Sequence, residues 1–108
     1  MNITLLTKPL SVNRAYKGRR YRTTEYDRYE RQVTALLPNI EIKPFPRSIA
    51  FEFGFSNSCQ DIDGPVKLIL DILQKKYGFN DRDIYELHIK KTIVQKGNEY
   101  ITINFVSL

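Results

Sequence analysis

Between Ser48 and Phe55 every second residue is large and apolar (Ile49, Phe51, Phe53, Phe55), with Ala50, Glu52 and Gly54 in the places between. Strict alternation of this kind marks an extended strand with one face turned to a core. A few residues later the spacing changes to a helical one, from Asp63 to about Tyr77. Val66, Leu68, Ile69, Leu70, Ile72 and Leu73 leave that helix little surface for solvent. Gly78 stands at its C-cap position. A second strand pattern follows from Ile84 to Val94. A one-faced strand, an apolar helix and another strand cannot bury themselves separately, so the helix must pack on a sheet.

The flanking segments extend the same plan. Ile3 to Leu6 reads as a first strand ending near Pro9, and residues 8–22 read as a loop. Thr23 or Thr24 can cap a helix, with Asp27 three residues beyond Thr24. Tyr26, Tyr29, Val33, Leu36 and Leu37 form its apolar stripe, and Pro38 stops it. Pro38, Pro44 and Pro46 make the next connection extended and turn-rich. In the 84–94 strand Tyr85, Leu87, Ile89 and Lys91 share one face, and Glu86, His88 and Lys90 the other. Lys96-Gly97-Asn98 is a turn, and Tyr100 to Phe105 is expected as the strand paired across it. The order is β-α-β-α-β-β, which predicts an α+β (mixed α/β) domain over residues 1–108, its mixed sheet packed by helices.

Several classes fall away. One cysteine, Cys59, excludes an internal disulfide framework and any zinc site built on cysteine pairs. No apolar run approaches the ~20 residues of a membrane helix. The apolar part of the N-terminus is too short for a signal peptide. The expectation is a soluble, cytoplasmic protein with no membrane partner. Its net charge of +5 is unevenly spread. Residues 1–22 carry six basic side chains (Lys8, Arg14, Lys17, Arg19, Arg20, Arg22) and no acid, whereas the other 86 residues hold 11 basic and 12 acidic groups. Such asymmetry suits a polyanion, most often nucleic acid and less often an anionic membrane surface; a solvated basic loop is the plain alternative.

Six of the twelve acids lie between residues 61 and 86. Asp61-Ile62-Asp63 is their compact core, and alternation in an extended segment would point both carboxylates the same way. Paired carboxylates repel unless a cation lies between them, and Mg²⁺ takes such oxygen ligands while keeping several waters. Asp63 before Gly64 and Pro65 can equally be an ordinary helix N-cap, and Asp81 and Asp83 ordinary turn residues. A calcium loop is excluded, since glycine falls at the fourth position and not the sixth. Lys67 lies four residues after Asp63, and Asp71 four after Lys67, a spacing shared by a catalytic lysine and a plain salt-bridge ladder. His88 reads as a surface residue and Cys59 as incidental. No nucleophilic triad, phosphate-binding glycine loop or dinucleotide fingerprint is present.

Taken together, Asp61-Ile62-Asp63-Gly64-Pro65-Val66-Lys67, Leu70-Asp71-Ile72-Leu73, Gly78-Phe79-Asn80-Asp81-Arg82-Asp83-Ile84 and Lys91 resemble the RusA family of Holliday junction resolvases. Pro9-Leu10-Ser11-Val12-Asn13-Arg14-Ala15-Tyr16 is similar to that family's opening, so the resemblance spans about residues 5–105. Two positions depart from it: Gly64 stands where the family usually has asparagine, and Asn80-Asp81 where it usually has two aspartates.

The resemblance implies a homodimeric, Mg²⁺-dependent endodeoxyribonuclease that nicks four-way DNA junctions symmetrically. Carried over by motif position, Asp61, Asp63 and Asp81 are the implied metal ligands and Lys67 the essential lysine. Mg²⁺ would polarise the scissile phosphate and acidify a water. Lys67 would neutralise phosphoryl charge or orient the carboxylates. Asn13, Arg14, Lys17, Arg19, Arg20, Arg22 and Lys91 are the expected DNA contacts, made to phosphates and so carrying affinity without base reading. The competing reading is a non-catalytic nucleic-acid-binding or regulatory protein that keeps the fold.

Overall fold

The structure, a computed structural model, describes residues 2–11, 16–17 and 21–106. In chain order these form β1 (Asn2–Leu5), β2 (Tyr16–Lys17), β3 (Tyr21–Arg22), α1 (Thr24–Leu36), β4 (Ser48–Phe55), α2 (Val66–Tyr77), a 3₁₀ turn (Asp81–Asp83), β5 (Glu86–Ile93) and β6 (Tyr100–Val106). A four-stranded mixed sheet in the order β1-β6-β4-β5 carries both helices, so the domain is α+β. β4 and β5 run parallel with α2 between them, while β6 runs antiparallel to both β1 and β4. The short strands β2 and β3 pair with each other, where the sequence reading has a loop.

The helix boundaries follow their local chemistry. Thr23 is the N-cap of α1: its backbone is extended and its hydroxyl accepts from the Tyr26 N–H at 3.1 Å. Leu37 leaves the helical conformation ahead of Pro38, as the residue before a proline tends to. At the end of α2, Gly78 adopts φ 84° and returns its N–H to the Gln74 carbonyl at 2.9 Å. Lys75 and Lys76 in the last turn suit the negative end of the helix dipole. The start of α2 differs from expectation. Asp63 does not cap the helix; residues 62–65 form turns and Pro65 takes the N-cap position without a side-chain bond.

The core draws on strand residues of one parity only. Ile3 and Leu5, Ile101, Ile103 and Phe105, and Ile49, Phe51, Phe53 and Phe55 all face the same side. Against them pack Tyr26, Tyr29, Val33 and Leu37 from α1, and Leu68, Ile69, Leu70, Ile72 and Leu73 from α2. Each such side chain contributes about 1.5–3 kcal/mol on burial. The Tyr77 hydroxyl donates to the Pro38 carbonyl at 2.8 Å, and Lys75 pairs with Glu30 at 3.1 Å, tying the two helices together. On the other sheet face stand Thr4, Thr102, Glu52 and Lys90 in one row across the strands. Among the described residues no helix is long and apolar enough to cross a membrane.

The pairing expected between the last two strands does not form: β4 lies between β5 and β6. Strand burial explains this. β4 is buried or half-buried along its whole length, whereas β5 is largely exposed. The most buried strand needs partners on both edges to satisfy its main-chain groups, and the polar strand suits the sheet edge. The connection from Val94 to Glu99 therefore crosses the end of β4, a gap of about 10 Å at two strand spacings. Val94 donates to the Phe55 carbonyl at 2.7 Å, and Asn98 to the Gln95 carbonyl at 2.9 Å, as it crosses.

Candidate functional site

The acidic motif falls on the connection from β4 to α2. Its main chain is turned, not extended: the Gly64 N–H donates to the Asp61 carbonyl at 3.2 Å, and the Val66 N–H to the Asp63 carbonyl at 3.1 Å. The alternation argument that pointed Asp61 and Asp63 the same way therefore does not apply. Asp63 lines a groove between α2 and β5, about 430 Å³ in volume, together with Lys67, Asp71 and Asp81 over a floor of Leu70, Leu87 and Ile89. Asp61 is exposed and is not among the residues lining that groove.

Asp81 reaches the groove from the opposite end. The Asn80 side chain accepts from the Arg82 N–H at 3.0 Å and so caps the 3₁₀ turn. The Asp81 N–H donates to the Gln74 side chain at 2.9 Å, which ties the turn to the last part of α2. Asn80, one of the two departures from the resemblance, thus has a local task. So has the other. A Cβ at Gly64 would lie 3.0 Å from the Ser11 hydroxyl oxygen and 3.4 Å from the Asp61 carbonyl, so the N-terminal segment occupies the space that a side chain would need.

Asp63 and Asp81 enter the groove from before and after α2, and Asp61 stays outside it. The three-carboxylate set expected for Mg²⁺ is accordingly not assembled. Among the described residues no group of three or more histidine, cysteine, aspartate or glutamate side chains is gathered closely enough to hold a metal ion. Lys67 is 68% exposed, and its ammonium lies 3.9 Å from Asp71, one turn on along the helix. Asp71, 31% exposed, is the more buried partner of that pair.

The loop that presents the acidic turn is held from two sides. Lys91, on the helix-side face of β5, donates to the Ser58 carbonyl at 2.8 Å and to the Gln60 carbonyl, with its ammonium 6.0 Å from the Phe55 ring centre. This ammonium, expected on DNA phosphate, is turned to main-chain carbonyls. From the other side the Ser56 hydroxyl donates to Glu99 at 2.8 Å, and Glu99 also accepts from the Gly97 N–H at 2.9 Å. Within the loop the Asn57 side chain accepts from the Cys59 N–H at 2.8 Å. Glu99 and Gln74 carried no signal in the sequence: the fold brings Ser56 to Glu99 from 43 residues away, and the turn after α2 brings the Asp81 N–H back to Gln74.

Of the expected basic contacts, Asn13, Arg14, Arg19 and Arg20 lie outside the described residues. Lys17 and Arg22 fall on β2 and β3, where the main chain alone is described. His88 is 66% exposed and 4.0 Å from Glu86, and Cys59 is exposed, as their sequence positions suggest. No protein-family model matches the chain, and no curated protein matches it.

Proposed function

We propose that the chain is a structure-specific endodeoxyribonuclease of the RusA kind, acting on branched DNA such as the four-way junction as a homodimer. One observation supports this above the others: Asp63 and Lys67 from one segment of the motif and Asp81 from another line one groove. The basic excess of residues 1–22 supports a polyanionic substrate.

The chain's own residues divide the work. Lys67, exposed on α2, meets the scissile phosphate and offsets charge on its non-bridging oxygens. Asp71 keeps that ammonium on the groove side. Lys91 and Glu99 fix the loop, and Asn80 and Gln74 fix the turn of Asp81, so the carboxylates are held before DNA arrives. Mg²⁺ is commonly held by one or two carboxylates with water and substrate phosphate in the remaining places. Asp63, with Asp61 beside it in sequence, supplies donors of that chemistry, and the bound ion would supply phosphate polarisation and a more acidic water. Dimer geometry and the basic arm give shape recognition and phosphate affinity.

A second reading, a nucleic-acid-binding protein without catalysis, is favoured by the ungathered carboxylates. Nicking of a synthetic four-way junction in Mg²⁺ separates the two. The expected result is paired nicks by the wild type, a loss of at least a hundredfold in rate for Asp63→Asn and Lys67→Ala, and undiminished junction binding by Asp63→Asn in EDTA. Binding without nicking by the wild type establishes the second reading.

A further inference from the structure

On the other side of the acidic loop lies a second cleft, about 460 Å³, between residues 7–11, the first turns of α1 and the loop after β4. That volume is ordinary for a small-ligand pocket. Its apolar wall is made by Leu10, Phe55 and the ring of Tyr29. Tyr29 is only 5% exposed, with its hydroxyl sealed from solvent against the Leu10 main chain, so it offers this wall its ring.

The polar wall has a definite sign. The Glu99 side chain is 7% exposed and accepts from Ser56 and Gly97. Its own main-chain N–H and the Ser56 hydroxyl hold its carboxyl below the usual range, so it is an anion at neutral pH. A carboxylate only accepts, and therefore selects N–H donors and repels phosphate. Cations stand at the rim instead: Lys8, 69% exposed and 3.9 Å from Glu99, and the exposed Arg28. A planar group rich in N–H, with an anionic tail left outside, fits this arrangement. Position adds the last element. Gln60 lines the cleft one residue before Asp61, and Ser11 lines it while packing against Gly64.

We propose that this cleft receives one unpaired nucleobase of the bound DNA, its phosphate resting against Lys8 and Arg28, and so sets which phosphodiester meets the acidic turn. The inference rests on the reading of the chain as a DNA-acting protein. Adenine, cytosine and guanine offer Glu99 an amino group with two N–H donors, whereas unpaired thymine offers only its single N3–H, so thymine is the least favoured occupant.

The test uses the full chain and a four-way junction in EDTA, with a single abasic site walked across the three nucleotides on either side of the crossover. For the wild type, one position weakens binding about tenfold, the lower range for one stacked base. Thymine at that position still stacks but lacks an amino group for Glu99, so it binds between the abasic junction and those bearing the other three bases. Gln32→Trp fills the cleft mouth from an exposed position on α1 and makes intact and abasic junctions bind alike. Equal wild-type affinity for every abasic position, or a Gln32→Trp protein that stays sensitive, overturns the pocket. The same samples in Mg²⁺ report nicking. Nicking without abasic sensitivity removes the pocket and leaves the nuclease; sensitivity without nicking does the reverse; absence of DNA binding removes both.

Discussion

Replacing Lys91 with methionine keeps the aliphatic stem on the helix-side face of β5 and deletes the ammonium. Two hydrogen bonds are lost, to the carbonyls of Ser58 and Gln60. A bond from a charged donor contributes about 1.5–3 kcal/mol, giving a gross loss of about 3–6 kcal/mol. Most of that returns, because Ser58 is exposed and Gln60 half-exposed, so both carbonyls can bind water in the variant. The Phe55 ring, 6.0 Å from the ammonium, sits at the outer limit of a cation–π contact and adds at most about 0.5 kcal/mol. The expected net loss is about 1–2 kcal/mol, read as a fall in the urea midpoint at constant slope. The local effect should exceed the global one, since the bonds hold one loop: amide exchange over residues 56–62 should accelerate more than in β4. Lys90→Met is the control. Its side chain is 73% exposed on the opposite sheet face, 4.0 Å from Glu52, and its loss should cost no more than about 0.5 kcal/mol. A Lys91→Met protein with wild-type midpoint and unchanged exchange over 56–62 would refute the idea that this lysine holds the loop.

Two further perturbations address the open sheet face. In Gly54→Ala the new Cβ would sit 2.5 Å from Cδ1 and Cε1 of Tyr100, so the ring must swing aside and release its bond to Glu52. A loss of about 1–3 kcal/mol is expected by thermal melting, and it should largely disappear in a Tyr100→Ala background. Glu52 accepts from Tyr100 and Thr92, and the Tyr100 hydroxyl above all holds its carboxyl below the usual range. A depressed carboxyl stabilises the fold above its unfolded pKa of about 4.3, and that contribution fades as pH falls through the folded value. Tyr100→Phe should therefore be less stable at pH 7 and lose less between pH 7 and pH 3.5, measured as urea midpoints; a parallel pH dependence would argue against the coupling.

What could be read from the residues was whatever depends on neighbours in sequence. The Ile49–Phe55 alternation defines β4, Gly78 ends α2, and Thr23 begins α1, because each is a local choice of backbone conformation. The partner of β6 is a different kind of fact. A short turn at Lys96-Gly97-Asn98 suggests a hairpin, yet the burial of β4 decides the pairing, and burial is a property of the whole sheet. The same holds at the acidic motif. Spacing singled out Asp61, Asp63 and Lys67, and the resemblance added Asp81; the groove contains Asp63, Lys67 and Asp81 but not Asp61. The direction of Asp61 depended on a turn closed by Gly64, which alternation does not detect. Lys91 read as a cation for DNA because its carbonyl partners lie about thirty residues earlier in the chain.

The placement of β4 between β5 and β6 also bears on the order of assembly. Strands adjacent in sequence usually zip as a hairpin and seed a sheet cheaply, because the closing loop is short. Here that route is closed: β5 and β6 share no ladder, and each pairs instead with β4 between them. β1 has β6 as its neighbour, so the first strand of the chain waits for the last. The sheet is complete only when β1 and β6 have met, and every ladder in it closes a loop much longer than a turn. Topologies dominated by such distant pairings fold slowly for their size. On the ribosome, the pairing edges that β1 and β4 present to β6 would stay open until residues 100–106 emerge, an interval in which unpaired strand edges are open to aggregation.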